Sequence, residues 1–81
     1  MANVRLKDIW SAMDECAKGW TSHPSEEHWS VYVGKKVYPR LPLGKHGRRD
    51  NPEIEAGHVR GMARHFDLVD CFKRALPSAF Q

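Results

Sequence analysis

Between His28 and Arg49, in HWSVYVGKKVYPRLPLGKHGRR, there is no Asp or Glu, although the 81-residue chain carries ten acidic residues elsewhere. Charge compensation within that stretch is therefore excluded, and its Lys35, Lys36, Arg40, Lys45, Arg48 and Arg49 form a cationic segment attractive to polyanions. Long apolar runs are missing too, which argues against a bilayer-spanning helix, and the opening MANVRLKDIW alternates charge with apolar side chains instead of building a signal-peptide core. A cytoplasmic location is expected. Cysteine is scarce: Cys16 and Cys71 stand far apart on predicted helices, and such a pair in a cytosolic chain reads as two reduced core thiols. Repeats and low-complexity segments are absent.

What is there fits one small globular domain over residues 1–81. Hydrophobic content of 41% with 28% charged residues is ordinary for a folded protein and argues against disorder. A chain of this length buries about two thirds of its unfolded surface, enough for a single core. The net charge of +3 is small, so the segregation of charge carries more information than its sum.

Periodicity sets the elements. Leu6, Ile9, Trp10, Met13, Ala17 and Trp20 recur at helical steps and predict a first helix over about Val4 to Lys18, with Gly19 ending it in a left-handed conformation. Trp20 to Ser25 then holds a short strand followed by a turn at Pro24. Trp29, Val31 and Val33 alternate with His28, Ser30 and Tyr32, and beyond Gly34 the residues Val37, Pro39 and Leu41 alternate with Lys36, Tyr38 and Arg40, which signals a hairpin. A two-residue loop would pair Tyr32 with Val37 and mix the faces. A three-residue loop of Gly34, Lys35 and Lys36 pairs Val33 with Val37 and Trp29 with Leu41, and it is the preferred register because it leaves one apolar face and one face of His28, Tyr32, Tyr38 and Arg40. Pro39 implies an open side or a bulge.

Leu43 to Pro52, with two glycines, four charged residues and His46, reads as an exposed loop. A second helix buries Val59, Met62, Ala63 and Phe66; it is capped by Asn51 and Pro52, or else Glu53 and Ile54 are extended and it begins near Glu55. Gly57 and Gly61 cost it about 1 kcal/mol each against Ala, so close packing or a close ligand is expected to explain them. A short third helix, Val69 to Leu76, closes at Pro77. The order implies an α+β fold: a two-layer sandwich with a three-stranded antiparallel sheet packed against helices, α-β-β-β-α plus the C-terminal helix. The second face of the sheet is left free for binding.

Taken in order, the first helix, Gly19-Trp20, the strand opening at His28, Leu41-Pro42, His46-Gly47, Glu53-Ile54 and GHVRGMARHFDL resemble the HicA-type toxins over about Leu6 to Phe72. The resemblance implies a double-stranded-RNA-binding-domain-like fold, mRNA interferase activity and a cognate antitoxin that covers the active surface. It also implies a catalytic histidine near the start of the central strand, and His28 is the position that matches. This chain has Glu26 and Glu27 where the family pattern has small residues, which sets two carboxylates beside the expected phosphate site. A different alignment puts Ser22-His23 on the motif.

Cleavage without a metal would need a base for the ribose 2′-hydroxyl, an acid for the leaving oxygen and cations for the phosphate. His28 and His46 are the expected proton carriers, since imidazole titrates near neutrality. The six basic residues of the segment are the expected phosphate ligands, and Tyr32 and Tyr38 the stacking surfaces for single- or double-stranded RNA. No metal or cofactor site is expected: His58 and His65 are two turns apart and no Cys-x-x-Cys exists. Trp10, Met13, Trp20, Trp29 and Met62 read as core. The competing readings are a non-catalytic protein-interaction module or inhibitor of phage or plasmid origin, and a DNA-contacting regulator using the same basic hairpin. Exposed strand edges add a homodimer as a further expectation.

Overall fold

The computed structural model describes residues 3–43, 46–48 and 51–80, with 46–48 described as backbone only. It is α+β, with all its strand pairing antiparallel. The strands are β1 (Asn3–Arg5), β2 (Thr21–Pro24), β3 (His28–Val33), β4 (Lys36–Pro42), β5 (His46–Arg48) and β6 (Asn51–Glu55); the helices are α1 (Leu6–Cys16), α2 (Ala56–His65) and α3 (Val69–Ala75), with a final 3-10 turn over Pro77–Phe80. The expected three-stranded sheet is β2-β3-β4, and a second one, β1-β6-β5, lies beside it.

The second sheet arises where helix or loop was expected. Val4 lies on the side of the expected helix away from its apolar stripe, and as a β-branched residue it pairs instead with Ile54 in a strand, where both are buried. The stretch read as an exposed loop contributes β5 and the start of β6, with Pro52 buried. Of the two starts considered for the second helix, the later one holds: Asn51–Glu55 is extended and α2 begins at Ala56. Asn51 caps α1 instead, its side-chain oxygen accepting the Lys7 backbone N–H at 2.9 Å, which satisfies one of the donors a helix start leaves open.

One core joins the two sheets and the helices. Ile9 and Met13 from α1, Val31 and Leu41 from the first sheet, Ile54 from the second, Val59 and Met62 from α2, and Phe72 from α3 are all fully buried. Helix α2 packs on both β4 and β6, whereas α1 packs on β6 and α3. Trp10 and Trp20 stack with ring centroids 5.0 Å apart, and Trp10 meets Trp29 edge-on at 5.3 Å. These half-buried indoles carry the packing from α1 to β3.

Cys16 and Cys71 form a disulfide with Cα atoms 5.8 Å apart, which corrects the expectation of two reduced thiols. The packing of α3 along α1 brings together positions separated by 55 residues, a proximity that spacing along the chain does not reveal.

Candidate nucleic-acid interface

The β3–β4 register departs from the preferred one. Val33 pairs with Lys36 and Tyr32 with Val37, so the loop is Gly34-Lys35. Gly34 has φ +59° and Lys35 is not in the positive-φ region, the type II′ arrangement in which glycine comes first. The register then shifts between Trp29 and Val31, restoring Trp29 opposite Leu41. Ser30 on β3 thus faces both Pro39 and Arg40 on β4, a β-bulge of the kind Pro39 foreshadowed.

The bulge decides which side chains share a face. Strict alternation from buried-side Tyr38 would send Arg40 toward the core and Leu41 outward. With the extra residue, Pro39 and Arg40 are both exposed and Leu41 is fully buried. Arg40 therefore joins His28, Ser30, Tyr32 and Val37 on the outer face, against which no helix packs among the described residues.

The other flank of that face is β2. Ser25 and His28 close the β2–β3 hairpin: the Ser25 N–H donates to the His28 carbonyl at 2.7 Å, and the His28 N–H donates to the Ser25 hydroxyl at 3.2 Å. Exposed Glu26 and Glu27 form the tip. Thr21 then pairs with Tyr32 and His23 with Ser30, and the His23 ring meets the Tyr32 ring edge-on at 5.6 Å. The outer face thus holds a row of His23, Ser30 and Arg40 across the three strands, with His28 and Tyr32 on either side of Ser30. Its long axis is polarised, with Glu26 and Glu27 at one end and the loop residue Lys35 about 15–20 Å away at the other, the length of the six-residue β3; Lys36, opposite the core-packed Val33, is on the inner side.

Other expected site residues lie elsewhere. Tyr38 is on the inner face, half-buried against the core, with its ring 5.6 Å from that of His65. Its hydroxyl lies over Gly61, where an added Cβ would come within 3.3 Å; this is the close packing that the glycine signalled. Tyr32 and Tyr38 therefore do not form one stacking surface. His46 and Arg48 sit on β5 of the other sheet, and Lys45 and Arg49 fall outside the described residues.

His23 and Ser30 are the site residues the leading sequence reading left out. Their signal was available in the expected strand before Ser25: folding it back on β3 through Glu26-Glu27 sets His23 across from Ser30. The alternative placement of Ser22-His23 needed one strand through Pro24 and both glutamates, whereas the chain makes two strands with those glutamates at the turn between them.

The edges of this sheet are blunted. The outer edge of β4 is covered at the Val37 carbonyl by His65, and beyond it runs the bulge. On β2 the alternation turns the backbone groups of Ser22 and Pro24 outward, and Pro24 has no N–H to offer. Among the described residues no group of His, Cys, Asp and Glu side chains is arranged to hold a metal ion, and no helix is long and apolar enough to cross a membrane. Comparison with protein families, with characterised proteins and with solved structures gives no match.

Proposed function

We propose that this protein binds RNA on the outer face of the β2-β3-β4 sheet and, in keeping with its HicA-type sequence resemblance, is a metal-independent endoribonuclease with His28 at its centre. The observation that carries this reading is the bulge opposite Ser30, which turns Arg40 onto the face bearing His28 and the exposed Tyr32. A guanidinium is suited to a phosphate, and an exposed phenol ring to an unstacked base. Lys35, in the hairpin loop, extends the cationic surface along the backbone of the bound strand. On this reading the chain acts in the cytoplasm, where messenger RNA is present and glutathione acts on the Cys16–Cys71 bond, and a cognate antitoxin protein would cover the same face.

The test is incubation of the purified chain, and of His28→Ala beside it, with a mixed pool of single- and double-stranded RNA at low salt, following both retention and fragment length. Fragmentation that the substitution abolishes supports the reading; a chain that neither retains nor cuts RNA sinks it. Competition with duplex DNA distinguishes a DNA-contacting regulator, because only RNA presents the 2′-hydroxyl.

A second reading rests on a different observation. Tyr32 and Val37, directly opposite each other, are the exposed large hydrophobic residues of the described chain, at 40% and 39%. Such a pair also fits the centre of a protein interface, so a protein-interaction module would bind its partner tightly through these side chains while showing little affinity for RNA.

A further inference from the structure

We infer that His23 is the second proton carrier of this face, paired with His28 across Ser30, and that the two imidazoles cleave RNA by transesterification. The inference rests on the RNA-cleaving reading above and replaces His46, which lies on the other sheet, with a histidine on the same sheet face.

The argument starts from register. His23 is opposite Ser30, and His28 precedes Ser30 by two residues on β3. The two histidines therefore occupy diagonal positions of one face, about 7–8 Å apart. The edge-on contact of His23 with Tyr32 confirms that the His23 ring lies on this face. An acid and a base that act on one phosphate must stand on either side of it, each within a hydrogen bond of about 2.6–3.2 Å of the oxygen it serves. Diagonal positions provide that spacing. Directly opposed residues, about 5 Å apart, would leave the phosphate no room between them.

The space between the histidines is furnished for an anion. Ser30 offers a hydroxyl at its centre, and Arg40 enters from β4 because the bulge puts it across from Ser30. The titratable groups facing the pair are Tyr32 on β3, Arg40 on β4, and Glu26 and Glu27 at the hairpin tip; no helix packs on this face among the described residues. Arg40 supplies the positive charge against which the dianionic phosphorane develops.

The step balances without a metal, an oxidant or water. One neutral imidazole takes the proton of the ribose 2′-hydroxyl, and that oxygen forms a bond to phosphorus as the bond from phosphorus to the 5′-oxygen breaks. The other imidazole, protonated, gives its proton to the departing 5′-oxygen. The products are a 2′,3′-cyclic phosphate and a 5′-hydroxyl, and one proton has entered the site for each that has left.

The experiment measures cleavage of a short single-stranded RNA, RNA retention and the pH–rate profile for the wild-type chain, His23→Ala, His23→Gln and His28→Ala, with circular dichroism as the check on folding. The expected result is a bell-shaped wild-type profile and cyclic phosphate ends. Each histidine substitution should slow cleavage by about 10²–10⁴-fold, with retention changed less than threefold and one limb of the bell lost. A substrate whose 5′-bridging oxygen is replaced by sulfur, a leaving group that needs no proton, should restore the rate of one of the two alanine variants. Cleavage by folded His23→Ala and His23→Gln at the wild-type rate overturns the inference and leaves His28 standing if His28→Ala is inactive. A wild-type chain that retains RNA without cutting it overturns the inference and the nuclease reading but not RNA binding. A chain that does neither overturns both.

Discussion

The Nε2 atom of His65 lies 2.7 Å from the carbonyl oxygen of Val37, so the last turn of α2 closes the outer edge of β4 beside the exposed Tyr32–Val37 pair. In a two-residue hairpin the Val33–Lys36 pair nearest the loop exchanges hydrogen bonds, and the next pair, Tyr32 and Val37, turns its backbone groups away from the partner strand. The Val37 carbonyl would otherwise be an open acceptor on an edge strand. Replacing His65 with Ala should cost about 1 kcal/mol, the net worth of one hydrogen bond, and should promote self-association at high concentration by uncovering the edge. Urea unfolding and sedimentation velocity check the two effects; an unchanged midpoint would show that the contact does not contribute to stability.

The Cys16–Cys71 bond closes a loop with a sequence separation of 55. Constraining the unfolded chain over such a loop is worth about 4 kcal/mol in the chain-entropy treatment, toward the top of the usual range of about 2–4 kcal/mol. Reductant, or the double change Cys16→Ser with Cys71→Ser, should therefore lower the urea midpoint strongly. The native fold should persist in the absence of denaturant, because Phe72, Leu76 and Ala79 hold α3 and the 3-10 turn in the core independently of the bridge. A midpoint unaffected by reductant would exclude the bond in solution.

The two glycines of α2 should respond differently to alanine. A Cβ at Gly57 would meet only the end of the Arg60 side chain at 3.7 Å, an ordinary contact. Gly57→Ala should then stabilise the protein by up to about 1 kcal/mol through helix propensity. At Gly61 the new Cβ would stand 3.3 Å from the Tyr38 hydroxyl, so part of that gain goes to displacing a half-buried ring. Removing the hydroxyl with Tyr38→Phe should make Gly61→Ala more favourable than it is in the wild-type background. A double-mutant cycle in urea measures the difference, and a coupling of zero would mean that Tyr38 does not constrain the glycine.

Much of this arrangement was legible in the residues, and what was not has physical reasons. Gly19 is left-handed as expected, at φ +74°, but in the turn beyond α1, which ends at Cys16 instead of about Lys18; the buried stripes of α1 and α2 and the strand after Trp20 followed from period and punctuation. The register did not, because the apolar pattern of Val33, Val37 and Leu41 favours one loop length whereas Gly34, placed first, favours another. The bulge satisfies the loop and the core together, since it lets Val37 face outward and still buries Leu41. Strands β1 and β5 are short and depend on β6, of which the sequence offered only Glu53 and Ile54 as extended, so no local pattern announces the second sheet. The outer-face reading of Tyr32 and Arg40 held, but that of Tyr38 failed with the register. His23 entered the site through the same geometry, as the partner of Ser30.

Asn51 shows the same limit at a single side chain. Its position before Pro52 suited a cap for the following helix, yet its carboxamide accepts from Lys7 at the start of α1, and its backbone carbonyl accepts from Arg5 at 3.3 Å. Asn51→Ala should destabilise the protein by about 1 kcal/mol, the usual cost of losing a helix cap. Asn51→Asp should largely restore stability, because a carboxylate oxygen accepts the same bond and suits the positive end of the helix. Thermal unfolding of the two variants tests the assignment; equal losses would argue that Asn51 acts through its backbone alone.

The carboxylates at the hairpin tip supply the last prediction. Glu26 and Glu27 immediately precede His28, so an RNA phosphate seated between His28 and Arg40 would lie roughly 8 Å from them, judged by the strand spacing. In water a unit charge at that distance repels another by about 0.5 kcal/mol, and screening in 0.1 M salt about halves it. Glu26→Gln with Glu27→Gln should thus tighten RNA binding by about two- to fivefold at low salt while leaving the number of phosphates engaged unchanged. Removing Lys35 should act in the opposite way, weakening binding and flattening the slope of log affinity against log salt by up to about 0.7, the contribution of one phosphate contact on a single strand. Titrations of labelled RNA over a range of salt concentrations separate the two effects. Unchanged affinity in the glutamine variant would place the bound phosphate away from His28, and an unchanged slope in the lysine variant would remove the hairpin tip from the RNA path.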